Sequence, residues 1–182
     1  MLARPCSACQ EGGGATAASH PVVRMSTKTA DQWFADYGES HQNESNELIH
    51  WICVPTIFWC VLGLIWSAPV PAALAAVAPW FNWTQPAAAG VLLFYLRLSV
   101  PLAVGMFVFM GGCYAVVEWL ALVCPFPVWK SSVLLFVLAW IGQFIGHKIE
   151  GKKPSFLHDV VFLLIGPAWL MHFVYRKLGI RY

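Results

Sequence analysis

Three histidines fall in two short polar motifs that border apolar segments and could bind a metal. HQNESNELIH contains His41 and His50, and QFIGHKIE contains His147. Neutral imidazole nitrogens suit first-row metals such as iron or zinc, whereas magnesium and calcium prefer oxygen ligands. The two motifs therefore predict a histidine metal site, provided that the fold brings them together. Five of the six histidines lie at or near the ends of apolar segments, namely His41, His50, His147, His158 and His172.

His41 and His50 can face one site only if the chain breaks between them. In a continuous helix, nine residues give about 900° of rotation, so the two side chains would point in opposite directions. The break is supplied by side chains that compete for backbone hydrogen bonds, those of Ser40, Asn43, Ser45 and Asn46. Asn46 is predicted to be the N-cap of a helix that begins at Glu47. His50 would then lie in the first turn of that helix, and His41 in the loop that caps it.

The second motif places three polar side chains on one helical face. Gln143 and His147 are one turn apart, and Glu150 follows three residues later. A histidine and a glutamate at this spacing can supply two metal ligands, or one ligand and the acceptor that orients it. Histidines at a membrane border can also be no more than polar side chains that anchor segment ends. The spacing alone leaves both interpretations open.

The composition is that of a membrane protein. Hydrophobic residues make up 59% of the chain and charged residues only 11%, against about 25% charged in soluble domains. The net charge of +2 is small and the basic residues are scattered, which excludes a nucleic-acid partner. We predict an all-α, multi-span integral membrane helical bundle. Residues 29–182 would form this single domain, and residues 1–28 a disordered tail or a weak targeting extension.

The apolar runs predict about four to six membrane segments. A helix needs about 20 residues to cross the hydrocarbon core. Three runs reach this length, residues 48–68, 98–123 and 156–175. Residues 131–146 are somewhat short for a span, and residues 71–81 and 86–96 are each too short to cross alone. Four spans from the first motif to the second would bring both to the same membrane face.

A short amphipathic helix is predicted before the first of these runs. Thr29 and Gln32 have the spacing of a capping box, and Trp33 and Tyr37 are one helical turn apart. Such a helix is typical of a segment that lies on the membrane surface. Further along, Gly142 and Gly146 form a small-xxx-small pair, which predicts close packing between membrane helices.

Taken together, the two motifs resemble the fungal 2-hydroxy-fatty-acid dioxygenase family. The similarity covers roughly residues 31–179 and rests on YGESHQNESNELIHWICVP, residues 37–55, and on QFIGHKIE with Pro154. Proteins of this family are small multi-span proteins of the endoplasmic reticulum membrane that act in phytosphingosine breakdown. They use ferrous iron and molecular oxygen to convert a 2-hydroxy fatty acid into the fatty acid one carbon shorter.

The resemblance assigns roles to individual residues. The residues that match the motif histidines become candidate Fe(II) ligands, and these are His41, His50 and His147. The polar motif residues become candidate catalytic residues that support the ligands or position the substrate, and these are Asn43, Asn46, Gln143 and Glu150. The fourth ligand stays open between Glu150, His172 and water.

The implied partners are a 2-hydroxy fatty acid, molecular oxygen and the lipid bilayer, and protein partners stay unknown. The polar head of the acid would lie at the iron, and its acyl chain between apolar helices. Two other functions fit the same residues. One is a non-catalytic scaffold or lipid-binding protein whose histidines and asparagines only cap helices. The other is a small transporter that uses the intramembrane charges Arg97 and Glu118, unless these two residues pair with each other.

Overall fold

The computed structural model describes residues 28–154 and 161–182, and this part of the chain is helical without strands. Its elements, in chain order, are α1 (Ala30–Gly38), α2 (Glu44–Trp66), α3 (Ala72–Val77), α4 (Thr84–Leu98), α5 (Val100–Val123), α6 (Val128–Glu150) and α7 (Phe162–Leu178). The predicted all-α fold is confirmed. Residues 1–27 of the predicted tail lie outside the described residues.

Helices α2, α5 and α6 are long and apolar enough to cross a membrane, with 23, 24 and 23 residues. Helix α6 exceeds the run predicted over residues 131–146, because the helix continues through the polar motif to Glu150. Helices α4 and α7 have 15 and 17 residues. The predicted total of four to six membrane segments stays a prediction. It requires that at least one of these shorter helices also crosses the membrane.

Helices α2 and α6 run antiparallel and form the central pair of the bundle. At one end, the backbone N–H of Asn43, just before α2, donates to the carboxylate of Glu150, the last residue of α6. At the other end, Gly63 of α2 lies against the hydroxyl of Ser132 in α6. The start of α2 therefore meets the end of α6, and the two histidine motifs lie at the same end of the bundle.

Small residues allow these two helices to approach each other closely. A Cβ atom added at Gly142 would lie 2.8 Å from the sulfur of Cys53, and one added at Gly146 would overlap the side-chain oxygen of Asn46. Any larger residue at either position would push the helices apart. The helix packing predicted from the Gly142 and Gly146 pair is confirmed.

Helix α5 packs beside α2 through aromatic and polar contacts. The rings of Phe58 and Phe109 lie 5.2 Å apart, and the indole N–H of Trp66 donates to Glu118 at 2.7 Å. The Glu118 carboxylate thus has the Trp66 indole as its hydrogen-bond donor, and within the described residues it forms no ion pair with Arg97. Arg97 lies in the last turn of α4. These charges do not form the pair considered from the sequence.

Helices α1 and α7 cover the end of the bundle that carries the histidines. The predicted capping box is present, since the Gln32 amide donates to the Thr29 hydroxyl and the Thr29 amide to the Gln32 side chain. The buried face of α1 packs on α7, where the rings of Tyr37 and Trp169 lie 5.3 Å apart. The short amphipathic helix is confirmed, and its place at the membrane surface stays a prediction.

Candidate metal centre

The histidines of the two motifs meet in a buried cluster. His41 lies in the loop between α1 and α2, His50 lies in α2, and His147 lies near the end of α6. One ligand atom from each residue lies within 4.8 Å of the other two. Their side chains are 4%, 1% and 5% exposed, so water hardly competes for the nitrogens. This cluster could hold a metal ion.

Backbone carbonyls orient two of the rings. Nδ1 of His41 lies 2.6 Å from the carbonyl oxygen of Tyr37, and Nδ1 of His50 lies 2.8 Å from that of Asn46. Because a carbonyl can only accept, each Nδ1 must carry the proton and donate, which leaves the lone pair on Nε2. Proteins fix the metal-binding tautomer of histidine in this way.

Each histidine keeps one buried ring nitrogen that has no hydrogen-bond partner among the described residues. These nitrogens are Nε2 of His41, Nε2 of His50 and Nδ1 of His147. A buried polar atom without a partner costs about 1–3 kcal/mol, and such atoms are rare in folded proteins. A shared metal ion would satisfy all of them, so the cluster fits a metal in geometry and in donor chemistry.

The environment keeps His41 neutral. Burial lowers its pKa to about 4, and the neighbouring His147 acts in the same direction. At neutral pH the imidazole is therefore uncharged, which is the form that binds a metal. The ring of Tyr37 stacks on it with a centroid separation of 4.1 Å and an angle of 16°, which fixes the plane of the ring.

The N-cap predicted for α2 is wrong by three residues. The cap is Asn43, whose side chain accepts hydrogen bonds from two backbone amides of the first turn at 2.9 and 3.4 Å, and α2 begins at Glu44. Asn46 is fully buried inside the helix and donates to the carbonyl of Ser40 at 3.1 Å. His50 consequently lies in the second turn of α2, not in the first.

Glu150 joins the two motifs through its carboxylate. One oxygen accepts the amide N–H of Gln42 at 2.9 Å, and the other accepts the amide N–H of Asn43 at 2.9 Å and the side-chain NH₂ of Asn46 at 3.2 Å. The loop that carries His41 is thereby tied to the end of the helix that carries His147. Glu150 does not belong to the group of side chains that could hold a metal.

Two other histidines considered from the sequence do not join the cluster. His172 interacts through Nδ1 with the hydroxyl of Tyr182, and its ring lies 5.2 Å from that of Phe34. It is not part of the group that could hold a metal. His158 lies outside the described residues. Of the three candidates for the fourth ligand, Glu150 and His172 are therefore engaged elsewhere.

An apolar cavity of about 460 Å³ extends from the cluster into the bundle. Its walls come from α2, α4, α6 and the start of α7, with Met110 from α5, and its polar lining includes Tyr37, Gln143 and His147. On α2 the lining runs from Val54 to Ile65, about 16 Å at 1.5 Å per residue. The space is apolar, and His147 brings the histidine cluster to one end of it.

Tyr37 is a functional candidate that the sequence analysis missed. Tyr37 and Gln143 both line the cavity, and within the described residues neither side chain has a hydrogen-bond partner. A signal was present in the sequence, because Tyr37 lies four residues before His41 and begins the segment that carries the family resemblance. The sequence analysis gives it no role beyond that segment and the amphipathic helix.

Comparison with known proteins agrees with the motifs. The family model described as 2-hydroxy-palmitic acid dioxygenase Mpo1-like matches residues 27–178. The chain is 28% identical over 146 residues to the Saccharomyces cerevisiae protein 2-hydroxy-palmitic acid dioxygenase MPO1. The alignment covers 76% of this chain and 75% of the relative. No solved structure matches the chain. The resemblance inferred from the motifs is confirmed, and the chain belongs to the Mpo1-like family of 2-hydroxy-palmitic acid dioxygenases.

Proposed function

We propose that this protein is a membrane-bound, iron(II)-dependent dioxygenase that removes the carboxyl carbon of 2-hydroxy fatty acids. The observation that carries the proposal is the buried cluster of His41, His50 and His147 at one end of an apolar cavity. The printed name of the yeast relative supplies the reaction class. By resemblance to the fungal family, we assign the protein to the endoplasmic reticulum membrane and to phytosphingosine breakdown.

The three imidazoles would hold Fe(II) and leave coordination positions open. Three neutral nitrogen ligands suit a first-row metal, and open positions are what oxygen chemistry at non-haem iron requires. The iron would supply the redox chemistry by which oxygen attacks the 2-hydroxy acid. The overall reaction balances without a further reductant: a 2-hydroxy acid and O₂ give the acid shortened by one carbon, CO₂ and water.

The cavity would bind the substrate with its head at the histidines. The Tyr37 hydroxyl and the Gln143 amide line the cavity with no protein partner in the described part, so both can hydrogen-bond the carboxylate or the 2-hydroxyl. The acyl chain would occupy the apolar remainder. Each buried methylene contributes about 0.8 kcal/mol, so the chain supplies most of the affinity and the polar groups supply the orientation.

The remaining candidate residues would act through the loop that carries His41. Asn43 caps α2, while Asn46 and Glu150 link that loop to the two helices that carry the other ligands. We therefore propose that they are positioning residues, which hold the ligands at a fixed separation without touching the substrate.

The test uses full-length protein in nanodiscs, loaded with Fe(II) under anaerobic conditions. Bound iron is measured by elemental analysis, and conversion of 2-hydroxypalmitic acid to pentadecanoic acid by mass spectrometry. We expect one iron per chain and turnover that requires oxygen. His50→Ala and His147→Ala should each lower activity more than about a hundredfold, because even residues beyond the ligands cost up to that much in metal sites.

His172→Ala is the matched control, since it removes the same side chain outside the cluster and should retain iron and activity. Full activity of the His50 or His147 variants would overturn the proposal, as would wild-type protein that neither binds iron nor turns over. Fatty-acid binding that is independent of these histidines, without turnover, would indicate the lipid-binding alternative.

A further inference from the structure

A second cavity adjoins the first near its far end, where Leu62 lies one helical turn before Ile65, the last α2 residue of the first lining. It has a volume of about 270 Å³ and lies between α2, α4 and α5, remote from the histidine cluster. Leu62, Ala88 and Met110 line both cavities, one residue from each of these helices. These three side chains, which we call the end wall, lie where the two spaces adjoin.

The end wall lies at a depth that suits an acyl chain. Leu62 follows His50 by twelve residues, which is about 18 Å along α2. A bilayer core of about 30 Å contains two layers of acyl chains, so one chain occupies about 15 Å in depth. A fatty acid with its head at the histidines would therefore place its terminal methyl group near the end wall.

The three side chains of the end wall differ in size, burial and flexibility. Leu62 and Met110 are buried, whereas Ala88 is half-buried and presents only a methyl group. Methionine is unbranched and has flexible torsions, so its side chain fills irregular space and adapts. Space for a displaced Met110 side chain is offered by the second cavity, which this residue also lines.

We propose that Met110, together with Leu62 and Ala88, is the end stop of the acyl cavity and sets the chain length of the acid that the protein accepts. This inference rests on the proposed function for the identity of the head group. Acids that end before the wall leave apolar space unfilled, and longer acids must displace Met110 toward the second cavity. Removing the Met110 side chain joins the two cavities, and enlarging Ala88 shortens the first.

The experiment compares saturated 2-hydroxy acids of 12 to 24 carbons as substrates for the full-length, iron-loaded protein. Met110→Ala should shift the preferred length upward by two or more carbons. We compare kcat/KM for an acid two carbons longer than the wild-type optimum with kcat/KM for that optimum. In Met110→Ala this ratio should rise roughly 15-fold over the wild-type ratio, because each of the two additional buried methylenes contributes roughly fourfold. Ala88→Leu should shift the preferred length downward by two or more carbons.

Two variants serve as matched controls. Met106→Ala removes the same atoms one turn earlier on α5, at a buried position that lines neither of the described cavities. Ala89→Leu adds the same atoms to the exposed neighbour of Ala88 on α4. Both controls should keep the wild-type length preference, even where the first lowers stability.

A parallel measurement separates this inference from the proposed function. Displacement of a fluorescent fatty acid by unsubstituted fatty acids of the same lengths measures how binding affinity depends on chain length, and it needs no turnover. If wild-type protein binds fatty acids but oxidises none, the proposed reaction fails, and the same length shifts in binding would still support the end wall. If the protein is active but the Met110 and Ala88 variants keep the wild-type length profile, the end wall is refuted. If it binds no fatty acid at all, both fail.

Discussion

Replacing Glu150 by glutamine should weaken metal binding although no ligand is removed. The Glu150 carboxylate accepts the backbone amides of Gln42 and Asn43, one on each oxygen, and also the side chain of Asn46. Glutamine has nearly the same shape but only one acceptor oxygen, and its NH₂ group would face an N–H donor. At least one of the two backbone hydrogen bonds must therefore be lost, which weakens the connection between the loop that carries His41 and the end of α6.

The size of the effect follows from these hydrogen bonds. A hydrogen bond to a charged group contributes about 1.5–3 kcal/mol when buried, and solvent screening at a partly exposed group reduces this value. We expect a loss of about 1–2 kcal/mol, which corresponds to a decrease of about 5–30-fold in metal affinity. The iron-loaded site should otherwise keep its ligands.

The assay is a titration of full-length protein with Co(II), followed by visible absorption and by competition with a chelator of known affinity. Co(II) reports ligand number through its spectrum, so an unchanged band shape with weaker binding separates positioning from ligation. Glu39→Gln is the matched control, because its exposed carboxylate accepts no hydrogen bond from the described residues. Wild-type affinity in the Glu150 variant, or an equal loss in the Glu39 control, would refute the reasoning.

Three further predictions concern the helix pair, the cap and the substrate head. In thermal unfolding, Gly146→Ala should lower the free energy of unfolding by about 1–3 kcal/mol, because the added Cβ atom would overlap Asn46. The control is Gly90→Ala, where the Cβ atom meets open space, and it should be neutral or stabilising by up to about 1 kcal/mol. Asn43→Ala should cost about 1 kcal/mol through loss of the cap, and an unchanged midpoint would contradict that role. Tyr37→Phe should raise KM for 2-hydroxypalmitic acid by roughly fivefold without changing iron content, and equal KM values would exclude the hydroxyl from substrate binding.

The parts of the fold that the sequence predicted depend on local patterns. The capping box of Thr29 and Gln32 involves neighbours in the chain, and the close approach at Gly142 and Gly146 follows from their lack of side chains. The meeting of the two histidine motifs was predictable because both border apolar runs that a bilayer forces into aligned helices. For the metal site, spacing alone left both interpretations open, and the assumed even number of spans and the family resemblance were needed as well.

The errors arose where a distant partner decides the local structure. Asn43 and Asn46 are equally good N-caps by type, and the choice is made by Glu150, which lies 104 residues from Asn46 and binds its side chain. The extent of α6 was underestimated because the apolar run ends before the helix does. The role of Tyr37 depends on the cavity, which exists only after α2, α4, α6 and α7 have packed together.

The separation of the two motifs along the chain has a consequence for how the protein is made. His50 and His147 are 97 residues apart, and a ribosome adds about 5–20 residues per second. At this rate, roughly 5–20 s separate the synthesis of His50 from that of His147. If the site holds iron as proposed, iron supplied during this interval meets an incomplete set of ligands. On that proposal metal loading follows synthesis, and iron retained by the protein reports that the two motifs have come together.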